Sequence, residues 1–188
     1  GMPYEIPSAQ RKAILESEYI WISHGHPDHI DVHSLEYFKG QKILLPDHVG
    51  NRIFNDLTDL GFRHLTVLPD RKWVKLSKNI EVMCIGDYYQ DAILLVNLNG
   101  KLLVNVNDAG DKGWASLVRK IIKTFDTSFL LKLFSYGDPD MNNFYDESGV
   151  QTTPLKKFEL GKQVQYWAEF YGVDYVVPFS STHHYQRT

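Results

Sequence analysis

Apolar and polar positions along the chain divide it into short units. Residues 15–23 (LESEYIWIS) gather Tyr, Ile and Trp and read as a strand. Asp31 is placed to cap a helix running to Phe38 and closed by Gly40. An apolar run at 42–45 ends at Pro46 and reads as a buried strand. Residues 48–60 carry Ile53, Leu57 and Leu60 at helical spacing and stop at Gly61. A strand over 65–68 follows. Two hairpins come next, 73–76 with 80–85 and 92–98 with 101–106. The second turns on Asn99-Gly100, the strongest short hairpin signal in the chain. Residues 114–124 and 154–171 read as helices, 128–134 and 175–179 as strands, and 136–153 as a long polar loop. Strand–helix units thus flank a hairpin-rich middle. That order predicts a layered α/β fold with a mixed or largely antiparallel sheet rather than a doubly wound parallel one.

The 188 residues are expected to form a single domain over 1–188. A hydrophobic fraction of 43% and a charged fraction of 23% are ordinary for a globular chain. A net charge of −3 gives no general attraction to nucleic acid or to an anionic membrane, so neither is expected as a partner. One cysteine, Cys84, allows no intrachain disulfide, and a cytoplasmic location follows as the simplest expectation. No glycine-rich phosphate loop follows any strand. Gly1 ahead of Met2 reads as a processing remnant, and both ends of the chain read as cut.

The chemistry concentrates in one stretch. Directly after the first strand, "HGHPDH" places His24, His26, Asp28 and His29 within six residues. In extended backbone alternate side chains share a face, so His24 and His26 point together. A turn at Pro27 lets Asp28 and His29 face a second point nearby, and Gly25 lets backbone approach closely. Imidazole nitrogen and carboxylate oxygen suit zinc, manganese and iron, so the spacing fits two adjacent metal positions.

"HGHPDH" resembles the HxHxDH signature of the metallo-beta-lactamase superfamily, and "YIWIS" resembles the strand that carries it. "DAILLVNLNGKLLVNVNDAG" is similar to the family hairpin that delivers a metal-bridging aspartate, here Asp108. "WISHGHPDH", "VNVND" and "VVPFSSTHHYQR" together most resemble the metal-binding domain of CMP-N-acetylneuraminate hydroxylase-like proteins. The resemblance implies an αββα layered sandwich with one or two divalent metal ions at its rim, zinc first, with manganese or iron as alternatives. It implies His24 and His26 on one metal, Asp28 and His29 on the other, Asp108 between them, and His183 or His184 after the last strand. Asp28 and Asp108 are the candidate catalytic carboxylates. Taken alone, Asp108 reads first as a turn or helix-capping residue before "KGWASL", and the motif context reverses that reading.

The sequence departs from that pattern in two places. Where the family has a histidine before the hairpin strand, this chain has Asp87, which is either an oxygen ligand or a turn residue after Gly86. Only 23 residues precede His24, so part of the N-terminal sheet is expected to be missing. The uncovered edge favours a homo-oligomer. The leading expectation is a metal-dependent hydrolase of an ester, lactone or phosphoester bond in a small, sugar-like substrate. An iron- and oxygen-dependent oxidoreductase component is the alternative. It would take electrons from a separate Rieske partner, because one cysteine cannot hold such a cluster. A binding module with a degenerate metal site is a third reading. Loop 137–149 is a candidate substrate lid, against the simpler reading of a solvated loop.

Overall fold

The structure is a computed structural model and describes residues 6–26, 29–107, 109–111, 113–133 and 160–179. Its elements are α1 (Ser8–Leu15), β1 (Tyr19–Trp21), α2 (Val32–Leu35, extended by a 3-10 turn at Glu36–Phe38), β2 (Lys42–Pro46), α3 (Arg52–Asp59), β3 (Leu65–Leu68), β4 (Trp73–Lys75), β5 (Ile80–Gly86), β6 (Ala92–Leu98), β7 (Lys101–Asn107), α4 (Ala115–Ile122), β8 (Thr127–Leu133), α5 (Leu160–Tyr171) and β9 (Tyr175–Phe179). The strands form two sheets, ordered β1-β2-β3 and β4-β5-β6-β7-β8-β9. The chain divides into two compact units, Gly1–Val74 with Met83–Ala92, and Lys75–Val82 with Ile93–Thr188.

In the first unit the sheet is parallel throughout, with Ile20 opposite Ile43 and Ile43 opposite Leu65. This part of the fold is more regular than the mixed sheet expected from the sequence. Its strands are joined by helical crossovers, the connection that parallel pairing requires. Ile22, Leu35, Ile43, Leu45, Leu57 and Phe62 form its core, with Ile53 and Phe54 packed against it. The residues of α3 that meet this core are spaced three and four apart, the interval that puts them on one helical face. Asp31 caps α2 as expected, accepting the backbone N–H of Ser34 at 2.9 Å. The expected strand over 15–23 is shorter. Its first residue belongs instead to α1, which has no buried residue and so leaves no amphipathic signal.

In the second unit β6 and β7 are antiparallel and turn through Asn99 and Gly100, both at positive φ (51° and 88°). β8 and β9 then add in parallel. Leu102, Val104, Val118 and Leu130 are fully buried there. Asp174 ties the β8 and β9 ends together, accepting the Ser128 N–H at 2.7 Å and its hydroxyl at 2.9 Å. The β7–β8 register shifts between Asn105 and Asn107, and Asn107 has φ 56°. This bulge lies one residue before Asp108. Bulges of this kind re-aim the chain and are common beside functional sites.

Candidate metal centre

β1 reaches the motif without a break in its pairing. The Ile22 N–H continues the ladder to the Leu44 carbonyl at 3.1 Å. Ser23 and His24, both 2% exposed, therefore leave the sheet already buried. The His26 carbonyl accepts the N–H groups of both His29 and Ile30 at 2.9 Å. The His29 ring lies against that of His24, with centroids 4.0 Å apart.

The three described imidazoles of the motif are thus gathered. Nε2 of His24 and Nδ1 of His26 lie 2.8 Å apart, with the rings edge to face. The Ser23 hydroxyl lies between the other nitrogens, 2.9 Å from Nδ1 of His24 and 3.3 Å from Nδ1 of His29. A hydroxyl oxygen has two lone pairs and can accept from both Nδ1–H groups. That tautomer puts a lone pair on Nε2 of each ring. The Asp91 carboxylate stands 3.6 Å from the same Nδ1 of His24, which favours the proton there. Metal-binding histidines are oriented in this way, through the ring nitrogen that does not ligate. Neither Ser23 nor Asp91 stood out as a site residue in the sequence. The only cue to Ser23 is its place directly before His24, and nothing in the local pattern marks Asp91.

Asp87 organises the turn between β5 and β6. Its backbone N–H bonds to the Asp91 carbonyl at 2.8 Å. Its Oδ1 accepts the N–H of Tyr89 at 2.7 Å and that of Asp91 at 3.0 Å. The turn closes through Gln90 at φ 68°. Asp87 is therefore a turn residue through one oxygen. The other oxygen, Oδ2, is buried with no hydrogen-bond partner among the described residues. An orphaned buried carboxylate oxygen is costly unless a cation or donor meets it. Beside this turn His48 points Nε2 at the Asp91 carbonyl, 3.3 Å away. Burial, the largest influence, lowers its pKa, while the Asp91 carbonyl and the carboxylates of Asp87, Asp91 and Asp47 oppose that shift.

The donor set, with nitrogen from imidazoles and oxygen from one unsatisfied carboxylate, fits a borderline divalent cation in kind. Among the described residues, however, no group of three or more His, Cys, Asp or Glu side chains is arranged to hold a metal ion. Of the residues expected at the site, His24, His26 and His29 are brought together, and Asp87 lies on the turn that carries Asp91 to His24. Asp28, Asp108, His183 and His184 lie outside the described residues, as does the candidate lid 137–149. No described helix is long and apolar enough to cross a membrane.

No family model matches the chain. Among curated proteins, the inactive cytidine monophosphate-N-acetylneuraminic acid hydroxylase of Homo sapiens is 26% identical over 126 residues, which is 63% of this chain and 25% of the human protein. The cytidine monophosphate-N-acetylneuraminic acid hydroxylase of Gorilla gorilla gorilla is likewise 26% identical over 126 residues, 21% of its length. The match thus spans about a quarter or less of these relatives. Among solved structures, the short form of human tRNase Z superposes with a TM-score of 0.51 at 13% identity, covering 93% of this chain and 82% of that one. The chain has the metallo-beta-lactamase fold, and over part of its length its sequence is similar to the cytidine monophosphate-N-acetylneuraminic acid hydroxylases.

Proposed function

We propose that the chain is a metal-dependent hydrolase acting on an ester, lactone or phosphoester bond of a small, sugar-like molecule. The observation that carries this reading is the convergence of His24 Nε2 and His26 Nδ1, with Ser23 holding the opposite nitrogen of His24. His24 and His26 would hold one divalent ion, completed by residues outside the described ones, with Asp87 as a further candidate oxygen donor. His29 and Asp28 would hold a second, Asp108 would bridge, and His183 or His184 would complete the set. Such an ion supplies Lewis-acid polarisation of the substrate and makes water acidic enough to lose a proton near neutral pH. In this reading Asp28 or Asp108 orients the attacking water and accepts its proton. Ser23 keeps His24 and His29 in the tautomer with Nε2 unprotonated.

Elemental analysis of the purified chain, followed by assays on chromogenic ester, lactone and phosphodiester substrates with added zinc, manganese or iron, tests the proposal. Stoichiometric metal and a metal-dependent turnover abolished by His26→Ala are expected. A chain that takes up no metal under any of these conditions would refute it.

The sequence similarity to hydroxylases favours a second reading, an iron-dependent oxidoreductase component that receives electrons from a separate Rieske-type protein. Iron in preference to zinc, and oxygen consumption with an electron donor but no hydrolysis, would select it.

A further inference from the structure

A cavity of about 300 Å³ opens beside the histidine motif, and its walls include Gly25, Ile30, His48, Arg52, Ile53 and Asp56. That volume is at the lower end for small-molecule sites. Its location follows from contacts already described. Gly25 separates His24 from His26 in the chain. His48 reaches the Asp91 carbonyl at 3.3 Å, and the Asp91 carboxylate stands 3.6 Å from His24. The cavity is therefore next to the proposed reaction centre.

Its walls differ in character. Ile30 and Ile53 supply an apolar side. Gly25 contributes backbone only; a side chain there would come to 3.8 Å from Ile53 Cγ1 and take up part of the space. Arg52, the first residue of α3, supplies positive charge, and Asp56, one turn further on, supplies the opposing carboxylate on the same wall. The Arg52 side chain is 84% exposed, and its ion pair with Asp56 is long, 3.5 Å from Nε to Oδ2. An exposed pair of that length holds the guanidinium weakly. A ligand oxyanion accepting two parallel N–H bonds would displace it.

We propose that this cavity receives the oxyanion-bearing end of a small-molecule substrate, a phosphate or a carboxylate, with Arg52 as its anchor and the apolar wall of Ile30 and Ile53 against the carbon skeleton. The inference deepens the hydrolase reading by naming the substrate class, and it rests on that reading for the identity of the reaction.

The test uses the full chain treated with a chelator, so that no metal competes for the probe. Inorganic phosphate, and acetate in a parallel arm, are titrated by NMR. Saturable shifts at the 25, 48, 52 and 53 backbone amides are expected, with one anion preferred. Arg52→Ala should weaken that binding about tenfold, and Arg52→Lys by less, because it keeps charge but loses the fork. Arg52 is exposed, so an unchanged melting temperature would show that neither variant acts by unfolding. Equal affinity in wild type and Arg52→Ala, or no shift at those amides, would overturn the proposal. Because this readout needs no metal, it stands or falls separately from the elemental analysis.

Discussion

The Ser23 hydroxyl stands 2.9 Å from Nδ1 of His24, and the opposite nitrogen of that ring faces His26 at 2.8 Å. One buried hydroxyl thereby holds the ring by the edge that does not face His26. Ser23→Ala should leave the backbone unchanged and lower metal affinity by about 10- to 100-fold, the usual cost of losing such a partner. Competition with a chromophoric chelator measures it. An unchanged dissociation constant would remove Ser23 from the centre.

Asp87 separates two roles by oxygen atom. Asp87→Asn keeps an oxygen to accept the Tyr89 and Asp91 N–H groups but puts an amide where the unsatisfied oxygen was. Metal affinity should fall sharply while the turn is retained. Asp87→Ala loses the turn as well, and should destabilise the fold by about 1–2 kcal/mol in urea unfolding. If metal affinity is the same in Asp87→Asn and wild type, Asp87 is a turn residue alone.

His48 gives a pH dependence whose sign can be worked out. Burial lowers its pKa in the folded chain below its ordinary value of 6.5. The unfolded chain therefore binds the proton more readily. The His48 contribution to stability is complete above pH 6.5 and is lost as the pH falls from there through the folded-state value. Unfolding free energies measured at successive pH values below neutrality should decline, and His48→Gln should flatten that slope. A slope unaffected by the substitution would assign it to other groups.

Cys84 is buried in β5, and burial with the nearby Asp70 carboxylate pushes its thiol up to about 12. The thiolate is the reactive form, so iodoacetamide should not label the folded chain near neutral pH and should label it readily in denaturant. Labelling of the folded chain at the denatured rate would contradict this environment.

Much of the fold was legible because local signals agreed with the final packing. Asp31, Gly61 and Asn99-Gly100 each specify backbone geometry through their own chemistry, and each is found in that geometry. The α1 helix was not legible, since it buries no residue and so imposes no periodicity. The parallel pairing of β1, β2 and β3 was also missed, because parallel partners meet only after long crossovers and leave no turn signature. At the candidate centre, the alternation rule correctly set His24 and His26 toward one another. The partnership of His24 with Asp91 was invisible in sequence, because it joins residues far apart in the chain through a turn shaped by Asp87.

The hairpin that supplies Asp87 couples loop shape to ligand chemistry. An imidazole at position 87 would have no second oxygen with which to bridge two amides while leaving another atom inward. Replacing it by the family's usual residue would therefore exchange an oxygen donor for nitrogen and, in the same step, release the segment bearing Tyr88 and Tyr89. If Asp87 is a ligand, as proposed, one substitution there would change both the donor offered to a cation and the turn that holds Tyr89.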